Sequence, residues 1–133
     1  MTLITCLDPK GGMLFNNRRQ TIDYEVVDMI CKTAGDKLYI SPFSEKYFTD
    51  KAVMILGDPL KDAPDDAAVF IEDVDFFGYI HRIDKLIIFR WNEVYPADRS
   101  LSFDPTEVGF RRLGEIKFST KVHKDVKKEI YKR

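Results

Sequence analysis

The stretch Lys85-Leu86-Ile87-Ile88-Phe89-Arg90 constrains the fold more than any other in the chain. Four consecutive β-prone apolar residues between charges have no polar alternation, which is the pattern of a central strand covered on both faces. Such a strand requires a layer on each side of its sheet. Thr2–Leu7 is a second apolar run of this type, and it stops at the turn signal Asp8-Pro9-Lys10-Gly11-Gly12. Residues 13–20 carry no clear period and read as a long loop. Thr21 is then a candidate helix cap, with Ile22, Val26, Val27, Met29 and Ile30 following at mostly helical spacing and Gly35 closing the segment.

The remainder alternates between the two kinds of element. Lys37–Ser41 reads as a strand halted by Pro42, and Ser44 reads as the cap of a short helix through Tyr47 and Phe48. Ala52–Leu56 and Ala68–Ile71 are further apolar runs. The proline- and aspartate-rich connection between them has no defined path. Phe76–Ile83 fits one helix capped by Asp73 or Asp75. Phe110–Phe118 reads as a strand. In the last segment, Val126, Lys128, Ile130 and Lys132 alternate weakly, while Val122, Val126 and Ile130 recur at helical spacing, so both readings stand. Strands alternating with helices and ending in a β-rich tail predict an α/β fold, a mostly parallel sheet with an antiparallel C-terminal hairpin.

The chain has 133 residues, 44% of them hydrophobic and 13% aromatic, enough for one core, and there is no repeat or linker; a single domain over 1–133 is expected. No apolar run reaches the roughly 18 residues of a membrane span. The N-terminus meets Asp8 too early for a secretory signal, and Cys6 and Cys31 lie far from any metal or redox motif, so a cytoplasmic protein with two buried thiols is expected. Charge is uneven beneath a net of −1. Residues 58–75 carry a net of −6 and residues 111–133 a net of +6. These blocks either are solvated, attract each other, or steer a charged partner.

In this order the features resemble dihydrofolate reductase. Thr2–Leu7, the Gly12 loop, the Thr21–Thr33 helix, the Lys37–Phe48 unit, Val69–Ile83, Asp84–Arg90, Ala97-Asp98-Arg99 and the final strand pair follow that family's sequence of elements. Ile83-Asp84-Lys85-Leu86-Ile87-Ile88 is the closest stretch, similar to the family's central strand and its lead-in. The resemblance implies a dihydrofolate reductase-like three-layer sandwich and places the pterin-orienting acid at or next to Asp23. It also implies departures. The family's Gly-Arg phosphate turn reads Ser41-Pro42-Phe43-Ser44 here, with an N–H lost at Pro42 and only Ser44 resembling the family's Thr. Its Gly-Gly pyrophosphate cradle reads Ile71-Glu72-Asp73, where two carboxylates oppose an anion by bulk and like charge. The Thr that buttresses the pterin acid corresponds to about Phe89. The ten or so residues between Leu56 and Ala68 are too few for the extra strand and helix that reductases build around the adenosine. Together these imply a chain without a nicotinamide cofactor, a pseudoenzyme of the reductase fold.

Gly11–Gln20 with Tyr39, Arg90-Trp91-Asn92 and Tyr95-Pro96-Ala97-Asp98 also resemble a group of small bacterial proteins of unassigned function, some of which carry the label ribonuclease Z. A two-metal phosphodiesterase needs clustered His and Asp ligands, and His81 and His123 stand alone and far apart in sequence; no metal site is expected. The candidate ligand-binding residues are the donor cluster Asn16, Asn17, Arg18 and Arg19, with Asp23, Ser44, Arg90 and Trp91. Arginine pairs of this kind clamp carboxylates or phosphates. Each candidate also has a structural reading: Asp23 as a helix-start acid, Trp91 as a core cap, the arginines as a solvated loop. Three functions remain open. The first is a non-catalytic binding or interaction module, with a small anionic ligand or a protein as partner. The second is an enzyme of altered specificity with Asp23 as its acid, and the third is a module binding nucleic acid through the basic C-terminal hairpin.

Overall fold

A computed structural model describes residues 1–133. Its sheet has seven strands: β1 (Thr2–Leu7), β4 (Leu38–Ile40), β5 (Met54–Ile55), β6 (Ala68–Phe70), β7 (Lys85–Arg90), β9 (Arg111–Phe118) and β10 (Val126–Lys132). They lie in the order β5-β4-β6-β1-β7-β10-β9. All pairs through β1·β7 are parallel, and β10 runs antiparallel to both β7 and β9. A small second sheet joins β2 (Gly12–Phe15), β3 (Arg18–Arg19) and β8 (Arg99–Ser100).

The Leu86–Phe89 run sits as its composition requires, flanked by β1 and β10 with all four side chains buried. Alternation sends Leu86 and Ile88 to one face and Ile87 and Phe89 to the other. One face is covered by α1 (Tyr24–Ala34) and the 3₁₀ turn Pro42–Phe48, which bury Val26, Val27, Ile30, Tyr47 and Phe48 against Ile4, Phe70 and Phe89. The other face is covered by α2 (Pro59–Asp62), the 3₁₀ turn Phe77–Arg82 and the small sheet, with Leu60, Phe76, Ile83, Met13 and Leu14 packed on Leu3, Val69 and Ile88. No helix is long and apolar enough to cross a membrane.

Several local expectations are corrected. Residues 13–20 are not a loop but a hairpin, because Asn16 and Asn17 take left-handed φ of 52° and 58° and turn the chain tightly. Asn tolerates this region better than other residues with a Cβ, and two successive left-handed residues match the twist of a two-residue hairpin. Thr21 does not cap α1. Asp23 does, accepting from the backbone N–H groups of Glu25 and Val26, while Ile22 stays 48% exposed outside the helical stripe. Ser41, not Ser44, begins the 42–48 turn. The run at Ala52–Leu56 yields only the two exposed edge residues of β5. Phe76–Ile83 tightens into a kinked 3₁₀ turn containing Gly78, with Asp75 accepting from the Phe77 N–H.

The connection over 57–68 is held by Arg82, whose guanidinium donates to the carbonyls of Leu60, Lys61 and Ala63 and to the Asp65 carboxylate. The last segment is a strand, not a helix. Wedged between β7 and β9, it buries Val126, Glu129 and Tyr131, and the buried glutamate is what blurs its period in the sequence. The acidic and basic blocks do not pair with each other. Asp65 and Glu72 of the acidic block meet Arg82 and Arg19, which lie outside both blocks, and within the basic block Arg112 meets Glu115 and Glu129.

Candidate functional site

The candidate residues converge only in part. Arg19, leaving the hairpin on β3, turns inward and forms a two-pronged ion pair with Glu72, Nε to Oε1 at 2.9 Å and Nη2 to Oε2 at 2.7 Å. Ser44 donates to the same Oε2 at 2.6 Å. The guanidinium lies 4.2 Å from the centre of the Tyr47 ring, close enough for a cation–π contact. Tyr47 in turn donates its hydroxyl to the Asp23 carbonyl and accepts from the Asp23 N–H. Burial pushes the Tyr47 phenol far up and the Cys6 thiol beside it well above its ordinary value, so both stay protonated. Arg19, Glu72 and Ser44 therefore satisfy one another. The space that Arg19 and Glu72 line together with Cys6, Tyr47 and Trp91 is only about 10 Å3, no more than one water.

Asp23 is sealed as well, with its side chain fully buried. One carboxylate oxygen caps α1. The other accepts from Thr120 Oγ1 at 2.5 Å and pairs with His123 Nδ1 at 2.7 Å. Burial pushes this carboxyl up, but the hydrogen bonds from Thr120, His123 and the Val26 N–H outweigh it and hold it below the usual range. The hydroxyl that buttresses Asp23 thus comes from the turn between β9 and β10, and not from the Phe89 position on β7.

An ionised carboxylate only accepts, so His123 Nδ1 carries its hydrogen. Nε2 then lies 2.9 Å from Thr21 Oγ1, completing a carboxylate–imidazole–hydroxyl line. Thr21, itself half-buried, borders the 10 Å3 space, which is too small to admit a substrate carbonyl from that side. As it stands the line is a latch: it ties the 119–125 turn to the start of α1, supported by the Lys121 N–H donating to Glu25 at 2.7 Å. No sequence signal marks His123 for this role, because it stands 100 residues from Asp23.

Arg90 and Trp91 do not share a cleft. Alternation along the chain sends them to opposite faces of the sheet. Trp91 is buried on the α1 side and stacks on His123, with ring centres 4.6 Å apart. Arg90 points to the other side, toward Glu129 and the Asp8 carbonyl. Asn16 and Arg18 remain outside, where with Arg19, Gln20 and Tyr95 they line an open cleft of about 520 Å3. The Asn16 backbone N–H donates to Asp98, Asn17 is exposed at the hairpin tip, and Arg18 forms no ion pair.

Asp8, which the sequence marks only as the start of a turn, is a structural hub. Fully buried, it accepts from the N–H groups of Lys10, Gly12 and Tyr95 and from Gln20 Nε2. Nowhere do three or more His, Cys, Asp or Glu side chains converge as metal ligands would.

The chain is similar in structure to a dihydrofolate reductase from Enterococcus faecalis, solved in complex with NADP(H) and RAB-propyl. The TM-score is 0.69 at 11% sequence identity, covering 100% of this chain and 96% of the reductase. At that identity the likeness establishes a dihydrofolate reductase-like fold and nothing further. Neither a protein-family model nor a curated protein sequence matches the chain.

Proposed function

We propose that residues 1–133 act as one domain, a non-catalytic binding or interaction module on the dihydrofolate reductase scaffold that does not bind NADPH. One observation carries this reading. On the fold's own logic, Asp23 marks the pterin end of the site and Ile71-Glu72-Asp73 the pyrophosphate cradle. The space between them is filled by the Arg19–Glu72–Ser44–Tyr47 cluster.

The cofactor's phosphates find no seat either. A Gly-Gly cradle lets backbone approach the pyrophosphate. Here Glu72 occupies it, and Asp73 follows with one carboxylate oxygen buried and unpartnered. Burial already pushes the Asp73 carboxyl up, with Glu72 adding to it, and a nearby phosphate would push further in the same direction. Pro42 has no N–H to offer at the start of the 42–48 turn.

A thermal-shift panel of NADPH, NADP, dihydrofolate and folate tests this. The midpoint should stay unchanged with each ligand, and NADPH should not be oxidised in the presence of dihydrofolate. A true site at 100 times its dissociation constant would add about 2.7 kcal/mol, and a midpoint rise of that size with NADPH would overturn the reading.

A second reading is favoured by the open 520 Å3 cleft at the hairpin. Arg18 lines it without an ion pair, which suits a small anionic ligand. Asp23 does not line it, so an enzyme combining Asp23 with Arg18 and Arg19 would need the hairpin to move. Arg18→Ala abolishing a midpoint shift produced by an anion would support this second reading.

A further inference from the structure

On the side of the sheet away from α1, the C-terminal ends of β1 and β7 open into a crevice of about 650 Å3, within the usual range for small-molecule sites. The position is notable in topology. β1 connects through α1 toward one edge of the sheet, whereas β7 leads to the hairpin at the other, and ligands of open α/β sheets bind outside the strand ends where the order reverses.

The floor of this crevice is polar where a sheet face would ordinarily be apolar. Glu129, with 9% of its side chain exposed, accepts from Arg90 Nη2 at 2.9 Å and from the Tyr131 hydroxyl at 3.0 Å. Arg90 Nη1 donates to the Asp8 carbonyl at 3.1 Å. A buried ion pair of this kind contributes little net stability compared with packed apolar side chains, because desolvating both charges is costly. Packing alone therefore does not explain why the sheet holds it.

The charges around the floor are sorted by origin. Cations come from the sheet and its first turn: Arg90, Lys127 and Lys10. Lys10 makes no ion pair, and the nearest carboxylate to Lys127 is Glu115 at 3.9 Å. Carboxylates come from the 3₁₀ turn Pro105–Val108 and its cap: Asp104 and Glu107. The Thr106 N–H and hydroxyl hold the Asp104 carboxyl below its usual range, so it is ionised at neutral pH, and Glu107 has no ion-pair partner. Leu101 and Phe103 add apolar surface. A simple anion meets the carboxylates and a simple cation meets the lysines. A molecule carrying both charges satisfies the two sets at once.

We infer that this crevice binds a small zwitterion with an apolar body, of the α-amino-acid class. Its carboxylate faces Arg90 and the two lysines, and its ammonium faces Asp104 and Glu107. The inference is independent of the filled pocket on the α1 side, and either can fail without the other.

The test is calorimetric titration of the whole chain with leucine and phenylalanine, beside the two halves of leucine, 4-methylpentanoate and isopentylamine. Saturable binding of at least one amino acid is expected, with each half about tenfold weaker or worse, the usual cost of a lost charge-assisted hydrogen bond. Glu107 is exposed, and Lys127 is half-buried with its side chain 39% exposed and only a 3.9 Å approach to Glu115, so Lys127→Gln and Glu107→Gln should each keep the parent's melting midpoint in the absence of ligand. Each should also weaken amino-acid binding about tenfold. Silence of both amino acids up to roughly 10 mM, equal binding of either half, or binding unaffected by both substitutions would overturn the inference.

Discussion

Replacing Arg19 by Met probes the filled pocket most sharply. Glu72 keeps only 5% of its side chain exposed, and three donors reach it: two from Arg19 at 2.9 and 2.7 Å and one from Ser44 at 2.6 Å. Arg19→Met removes two of these and the only countercharge, leaving a carboxylate sealed against a single hydroxyl. Breaking one side of a buried pair costs about 3–5 kcal/mol, and the near-complete burial of Glu72 places this variant toward the upper end. Glu72→Gln strands the guanidinium instead. Arg19 retains 19% exposure and the Tyr47 ring, so its cost should fall near ~3 kcal/mol.

The double variant Arg19→Met with Glu72→Gln removes both charges and keeps the volume, and should recover to within about 1–2 kcal/mol of the parent. Urea denaturation followed by circular dichroism reads all three, with an unchanged m-value confirming that only stability has moved. For a domain of this size, ~4 kcal/mol corresponds to a fall of about 15 °C in melting midpoint. Single variants that each cost under about 1 kcal/mol, or a double variant whose loss equals the sum of the singles, would refute a coupled buried pair.

Other variants address neighbouring contacts. His123→Ala should cost about 1–3 kcal/mol by leaving Asp23 Oδ2 short of a donor, and should change the emission of Trp91, the sole tryptophan, as their stack is lost. Gly12→Ala should be strongly destabilising. Its Cβ would stand 2.6 Å from Asp8 Oδ2 and 2.9 Å from the Ala97 Cβ, and neither short side chain can move without backbone; about 1–3 kcal/mol is expected in thermal melts. The Asp23 carboxyl is held below its unfolded value of about 3.9, so its contribution is fully present above that pH and lost as the pH falls through the lower, folded value. The stability gap between the parent and Asp23→Asn should therefore close below about pH 4, and a gap constant down to pH 2 would contradict the assigned hydrogen bonds.

What the sequence makes legible is the part of the fold decided by continuous burial. Leu86–Phe89 and Thr2–Leu7 lie side by side at the middle of the sheet because unbroken apolar runs tolerate no exposed face. Elements decided by one residue's conformation or by distant partners are less readable. The hairpin over 12–19 rests on two asparagines in the left-handed region, a weaker signal than Asn-Gly. Strand β10 hides its period because Glu129 is buried by an ion pair from a different strand.

The candidate site follows the same division. The sequence singles out Arg19, Ser44 and Glu72 separately but does not reveal that they consume one another. Arg90 and Trp91 are adjacent in sequence, yet strand alternation parts them. His123 and Thr120 reach Asp23 across about a hundred residues, a juxtaposition that only the assembled fold creates.

Trp91 supplies the most direct measurement, since it lines the residual space beside Arg19, Tyr47 and Glu72. A nicotinamide entering there would lie against its ring. Titration with NADPH, corrected for its own absorbance, should leave Trp91 emission unchanged at every concentration if the Arg19–Glu72 cluster fills the pocket. Saturable quenching of Trp91, with energy transfer to the bound cofactor, would show that the cluster opens and that the dinucleotide site survives.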